Sequence, residues 1–124
     1  MYLQIIEETD ELEAQTTKEL LLWLGVTPKY HGFHFTSYAV LLCVRQPERL
    51  LLITKWLYPD IAKHFRTGWQ NIERNIRTVV EIIWASYPEK LEQIAMRKLD
   101  RRPSNQDLIA ILTEHIGSQV TDDA

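Results

Sequence analysis

Apolar positions recur along this chain with a helical period rather than a strand period. Placing residues 69–84 about 100° apart gathers Trp69, Ile72, Ile76, Val79, Val80 and Ile83 on one side. Gln70, Asn71, Arg74, Arg77, Thr78 and Glu81 fall on the other. The pattern predicts a long amphipathic helix over 68–86, the best marked in the chain. Leu108, Ile109, Ile111, Leu112 and Ile116 form a second stripe, with Ser104 as N-cap and Gly117 as stop, so a helix is predicted over 105–116. Shorter helices are predicted over 3–14, 18–24, 36–45, 49–57, 59–65 and 88–99. Gly25, Thr27-Pro28, Gln46-Pro47 and Arg101-Arg102-Pro103 separate them. The 36–45 segment is apolar nearly all round and belongs inside. Residues 30–35 alternate apolar and polar, which fits a short strand or a loop. The predicted fold class is all-α, a compact bundle of about six helices.

Composition bounds the possibilities without choosing among them. An apolar share of 45% and a charged share of 25% are ordinary globular values, and 124 residues suit one domain. The longest apolar run, 38–44, is far short of the roughly 20 residues that span a bilayer, and Met1 opens no signal-peptide pattern. Cys43 is the sole cysteine and lies in an apolar stretch, so a cytoplasmic location and no membrane association are expected.

Charge is uneven. The net charge is −3, yet residues 1–20 carry −5 and residues 103–124 carry −4. From Lys55 to Arg102, ten basic residues face six acidic ones. A basic surplus confined to one central stretch is compatible with a phosphate-binding footprint. The expected organisation is an acidic extension over 1–16, with Tyr2, Ile5, Ile6 and Leu12 at roughly helical spacing, then a domain over 17–117 and a disordered tail over 118–124. The extension is either a solvated helix or a docking and dimerisation helix.

Candidate chemistry concentrates at residues 59–77. Two helices joined by Arg66-Thr67-Gly68, with small Ala62 where they approach, match a helix-turn-helix. Ile61, Phe65, Ile72 and Ile76 form the expected core between them. Thr67-x-x-Gln70 reads as a capping box that starts the second helix. Arginine pairs bidentately with guanine and Asn or Gln with adenine, so Gln70, Asn71, Arg74 and Arg77 are candidate base readers. Lys55, Lys63, Arg66, Thr67, Thr78 and Lys98 are candidate phosphate contacts.

The residues around this pair resemble a known family. Leu57-Tyr58-Pro59-Asp60-Ile61-Ala62-Lys63-His64-Phe65, then Ile72-Glu73-Arg74-Asn75-Ile76-Arg77, with the spacing kept through Trp84, carry the likeness. Leu24-Gly25-Val26 and Arg102-Pro103-Ser104-Asn105 extend it over 17–116. They resemble the DNA-binding effector domain of the stage 0 sporulation protein A family, response regulators that initiate sporulation. The resemblance implies a six-helix domain that binds double-stranded DNA, often as tandem copies on adjacent sites. It further implies that the second helix reads a short G-containing box, with Glu73, Arg74 and Arg77 at the matching positions. Asn71 stands where the family commonly has a basic residue, and Gly68-Trp69 where it has smaller residues, so a sequence preference of its own is expected. The family's receiver domain has no counterpart in these residues, and with Met1 at the start, control by aspartyl phosphorylation within the chain is not expected.

Other chemistry is poorly supported. His31-x-x-His34 lacks further ligands at a matching spacing, so no metal or other cofactor is expected. No nucleophile, base and orienter assemble, and no phosphate-binding glycine loop is present, so the chain is not read as an enzyme. Trp23, Trp56, Trp69 and Trp84 are expected in the core, with Trp69 closest to the reading face. Lys90, Arg97, Lys98, Arg101 and Arg102 fit a solvated face or phosphate contacts. The alternative function is a protein-interaction module of the same fold that has lost DNA reading. It would bind RNA polymerase, its sigma subunit or a full-length regulator.

Overall fold

The first two predicted helices are one. In the computed structural model, which describes the backbone of residues 2–122 and the side chains of residues 11–119, α1 runs unbroken over Tyr2–Trp23. The Thr16-Thr17 pair at the expected break is accommodated because each hydroxyl donates four residues back. Thr16 Oγ1 bonds Leu12 O and Thr17 Oγ1 bonds Glu13 O, both at 2.9 Å. Gly25, at φ +94°, ends the helix: Val26 N–H donates to Leu21 O (2.9 Å) and Gly25 N–H to Leu22 O (3.0 Å). The side chains of Tyr2, Ile5 and Ile6, which bear on whether the extension is a solvated or a docking helix, lie outside the described residues.

The alternation over 30–35 conceals a helix: α2 spans His31–Arg45. Phe33, Ser37 and Val40 are buried at helical spacing, as are Phe35, Ala39 and Cys43. These are two buried stripes of one helix whose exposed residues include His31 and His34, so a window of six residues reads as period two. Pro47–Leu52 follows as a tight 3₁₀ segment and Ile53–Leu57 as a π-helical turn, in place of the α-helix predicted over 49–57. Then come α3 (Tyr58–Phe65), α4 (Trp69–Ser86), α5 (Pro88–Ala95) and α6 (Asn105–Asp122). The six helices form an all-helical bundle, with no strand among the described residues.

Three boundaries at the carboxyl end show which local signals dominate. α5 stops four residues before the predicted end, because Met96 turns left-handed (φ 57°) and Glu92 Oε2 accepts the Leu99 N–H at 2.7 Å. Ser104 caps α6 as expected: its Oγ accepts the Asp107 N–H (3.0 Å), and Asp107 Oδ2 accepts the Ser104 N–H (3.2 Å). Gly117 does not end α6, which continues to Asp122. Glycine permits a left-handed stop without requiring one. Residues 123 and 124 of the predicted tail lie outside the described residues.

The core has two lobes, and α2, α4 and α6 contribute to both. Leu21, Leu24, Phe33, Val40, Val79, Val80, Ile83, Leu91, Leu108 and Leu112 fill the larger. Phe35, Ala39, Leu57, Ile61, Ile72, Ile76 and Ile109 fill the smaller. The carboxyl half of α4 is therefore anchored in the main core, and its amino half closes the lobe under α3. α2 passes α4 at Gly32, where a Cβ would lie 2.3 Å from Asn75 O. Cys43 is wholly buried, and burial pushes its thiol up to about 11. None of the four tryptophans is in the core: Trp23, Trp56 and Trp69 are 43%, 47% and 41% exposed, and Trp84 is half-buried outside both lobes. Trp23 is partly covered by Lys90, whose Nζ lies 4.9 Å from its ring and donates to Trp23 O at 3.1 Å.

Candidate nucleic-acid interface

The turn between α3 and α4 is built on a left-handed arginine. Arg66 (φ 56°, ψ 51°) follows α3; Thr67 N–H donates to Ala62 O (2.9 Å) and Arg66 N–H to Lys63 O (3.4 Å). This is the six-to-one, five-to-two closure that usually ends on glycine. Pro59 occupies the first turn of α3, where its missing N–H costs nothing. Ion pairing of Arg49 with Asp60 ties α3 to the preceding turn. Ile61, Ile72 and Ile76 are buried in the small core between the helices as expected, Phe65 packs against it from its edge, and Ala62 is buried there too. Half-buried Phe65 meets Phe35 edge-on at 4.9 Å, and Tyr38 stacks on His64 at 4.0 Å.

The capping box is not formed. Gly68 is the N-cap of α4, with φ −84° and ψ 152°, and no side chain caps the helix. Thr67 stands one residue too early, so the Thr-x-x-Gln spacing misses the position it needs. Gly68 O accepts from Asn71 N (3.1 Å) and Ile72 N (3.4 Å). Thr67 Oγ1 accepts instead from the Asn71 side chain, Nδ2 to Oγ1 at 3.1 Å, which leaves the threonine's own proton available.

Gln70, Arg74 and Arg77 are exposed on α4; Asn71, Glu73 and Thr78 are half-buried. Arg77 Nη2 pairs with Glu73 Oε2 at 3.1 Å, and Arg74 Nη2 donates to Asn71 Oδ1 at 3.3 Å. Thr78 Oγ1 donates to Arg74 O (3.2 Å), so in this conformation it has no proton to offer a phosphate. Lys63 and Arg66 are exposed on α3 and the turn, and Lys55 is exposed on the turn before α3. Lys98 lies in the connection between α5 and α6, outside the helix pair.

One residue that sequence reasoning missed ties these elements together. Asn105 Nδ2 donates both to Glu73 O in mid-α4 (2.9 Å) and to Tyr58 OH at the start of α3 (3.0 Å). It bonds across 32 and 47 residues of chain, a relation that no local spacing reveals. Burial raises the Tyr58 hydroxyl above its ordinary value, so it stays protonated through the working range.

The remaining candidates are occupied elsewhere. His34 Nε2 donates to Pro28 O (3.0 Å), and His31 stacks on Phe35. Among the described residues no three His, Cys, Asp or Glu side chains gather as a metal site. Among them, too, no helix is long and apolar enough to cross a membrane.

The fold and this surface define an all-helical domain that anchors one face of a long helix and presents the other behind a tight turn. The chain belongs to the family described as Sporulation initiation factor Spo0A C terminal, which matches residues 17–116. These are response-regulator effector domains that bind double-stranded DNA and regulate transcription in sporulation; the family is not one of enzymes.

Proposed function

We propose that the chain is a sequence-specific transcription regulator that reads the major groove of double-stranded DNA with α4. The observation that carries this is the division of that helix. Ile72, Ile76, Val79, Val80 and Ile83 are buried, which holds the helix rigidly, while Gln70, Arg74 and Arg77 are exposed on the far side. Those side-chain types match the donor and acceptor patterns of base edges. Lys55, Lys63, Arg66 and Thr67 supply phosphate contacts that set register, and Glu73 acts through Arg77. Tandem or dimeric binding on adjacent sites and contact with RNA polymerase or its sigma subunit belong to the same proposal, as does action at the nucleoid in the cytoplasm.

Fluorescence anisotropy on a duplex carrying a G-containing box, against a scrambled duplex, at two salt concentrations, tests it. The box is expected to bind more tightly, with affinity falling steeply as salt rises, because releasing counterions into a saltier solution gains less entropy. Equal binding of both duplexes at low salt would sink the proposal. A second reading, a protein-interaction module of the same fold, is favoured by the pairing of Arg77 with Glu73 and of Arg102 with Glu81 (3.7 Å). It expects equal binding in that experiment and a complex with the transcription machinery or a full-length regulator.

Arg66 offers a separate check. Its left-handed conformation costs a non-glycine residue about 1–2 kcal/mol, and strain of this kind collects where a side chain has another task. Arg66→Gly is expected to raise the melting temperature slightly, because glycine's greater freedom in the unfolded chain offsets part of that relief. The same change should weaken binding to all duplexes alike. A variant that binds as well as the parent would remove Arg66 from the interface.

A further inference from the structure

Both ends of the Asn71 side chain are committed within the protein. Nδ2 donates to Thr67 Oγ1 at 3.1 Å. Oδ1 accepts from Asn75 Nδ2 at 2.8 Å and from Arg74 Nη2 at 3.3 Å. Asn75 Nδ2 is itself seated on the Asn71 carbonyl at 2.7 Å. Chemistry fixes the orientation of the amide: turned over, its NH₂ would face two donors and both contacts would be lost. Asn71 is also half-buried on the flank of α4, whereas Gln70, Arg74 and Arg77 are exposed. An asparagine that reads adenine needs its donor and its acceptor together on the base edge. Here that would require breaking bonds to three neighbouring side chains.

We propose that Asn71 is a positioning residue, which Thr67 and Asn75 hold in place and which in turn steers the Arg74 guanidinium toward a base. It corrects the assignment of Asn71 as a base reader, and it rests on the DNA-reading function proposed above. An arginine has many rotamers, and specific pairing requires that one be selected; an acceptor fixed at the root of the side chain does part of that selection before DNA arrives.

Selection from a duplex library with a randomised core, followed by affinity measurements base by base, tests the inference. Four proteins are compared: wild type, Asn71→Ala, Arg74→Ala and the double variant, with thermal melts to establish folding. The wild type is expected to prefer one base strongly at the position where Arg74→Ala loses its preference. Asn71→Ala should lose about tenfold of that same preference, the scale of one bidentate arginine contact, and leave the other positions unchanged. The double variant should be no worse than Arg74→Ala, because Asn71 acts through Arg74. Asn71→Asp keeps an acceptor, so it should retain more of the preference than Asn71→Ala, while binding every sequence more weakly because its negative charge lies near phosphates and pairs with Arg74. A loss at a different position would mean that Asn71 reads a base itself, and an unchanged profile would mean that it steers nothing. Either overturns the inference while leaving the DNA-reading function standing. A wild type that enriches no sequence would overturn both.

Discussion

Gly32→Ala is expected to cost the fold about 2 kcal/mol, read as a lower urea midpoint at an unchanged slope. A Cβ built at Gly32 lies 2.3 Å from the Asn75 carbonyl oxygen and 2.6 Å from Val79 Cγ2. The valine methyl can turn away at modest cost, but the carbonyl is part of the α4 backbone. α2 and α4 would therefore have to separate where α4 passes from one core lobe to the other. Overpacking of this kind costs about 1–3 kcal/mol and occasionally more. Alanine's better helix propensity returns up to about 1 kcal/mol, so the clash still wins. The disturbance falls at Asn75, whose side chain holds Asn71, so DNA binding should weaken along with stability. A Gly32→Ala protein as stable as the parent would contradict so close an approach of the two helices.

What the sequence revealed of this architecture depends on the range of the interaction involved. The buried stripes of α4 and α6 are local periodicities repeated over several turns, and every residue assigned to them except Trp69 is buried. The core between α3 and α4 was legible for the same reason, since Ile61, Ile72 and Ile76 have one apolar face each. Trp69 failed because it stands in the first turn of α4, beyond the helices that cover the rest of the stripe. α2 failed in its first turn because it is buried on two sides, and a short window of such a helix carries no distinctive period. The break expected before Lys18 failed because hydroxyl bonds to the preceding turn let Thr16 and Thr17 stay helical.

The candidate site was legible as a face and illegible as a network. Angular placement separates exposed Gln70, Arg74 and Arg77 from the buried isoleucines, but it cannot say which polar side chains bond to one another. Asn71 and Thr78 lie on the flank of that face, where their bonds to Thr67, Asn75 and the Arg74 carbonyl decide what they can offer a ligand. The capping box shows the same limit. Its spacing was present, yet a one-residue shift of the helix start gave Thr67 a different partner. Asn105 is beyond any local rule, because its two partners are remote in sequence.

Arg74→Ala should cost specific DNA binding about 1–3 kcal/mol and relax the preference at one base position. Arg74 is exposed and keeps no carboxylate partner among its described bonds; it donates only to the neutral Asn71 amide at 3.3 Å. Its guanidinium can therefore move to a guanine edge without abandoning an ion pair. Arg77 differs, because it must leave or share Glu73 at 3.1 Å, so part of any gain on DNA is offset and Arg77→Ala should cost less. Lys63→Ala supplies the contrast. An exposed lysine on α3 that meets a phosphate contributes equally on every sequence, so its loss should lower all affinities together and reduce the salt slope by about 1. Titrating the three variants against the preferred box and against its single-base changes separates these effects. If Arg74→Ala weakened every duplex to the same degree, Arg74 would be a phosphate contact, and the reading face of α4 would have to be centred elsewhere.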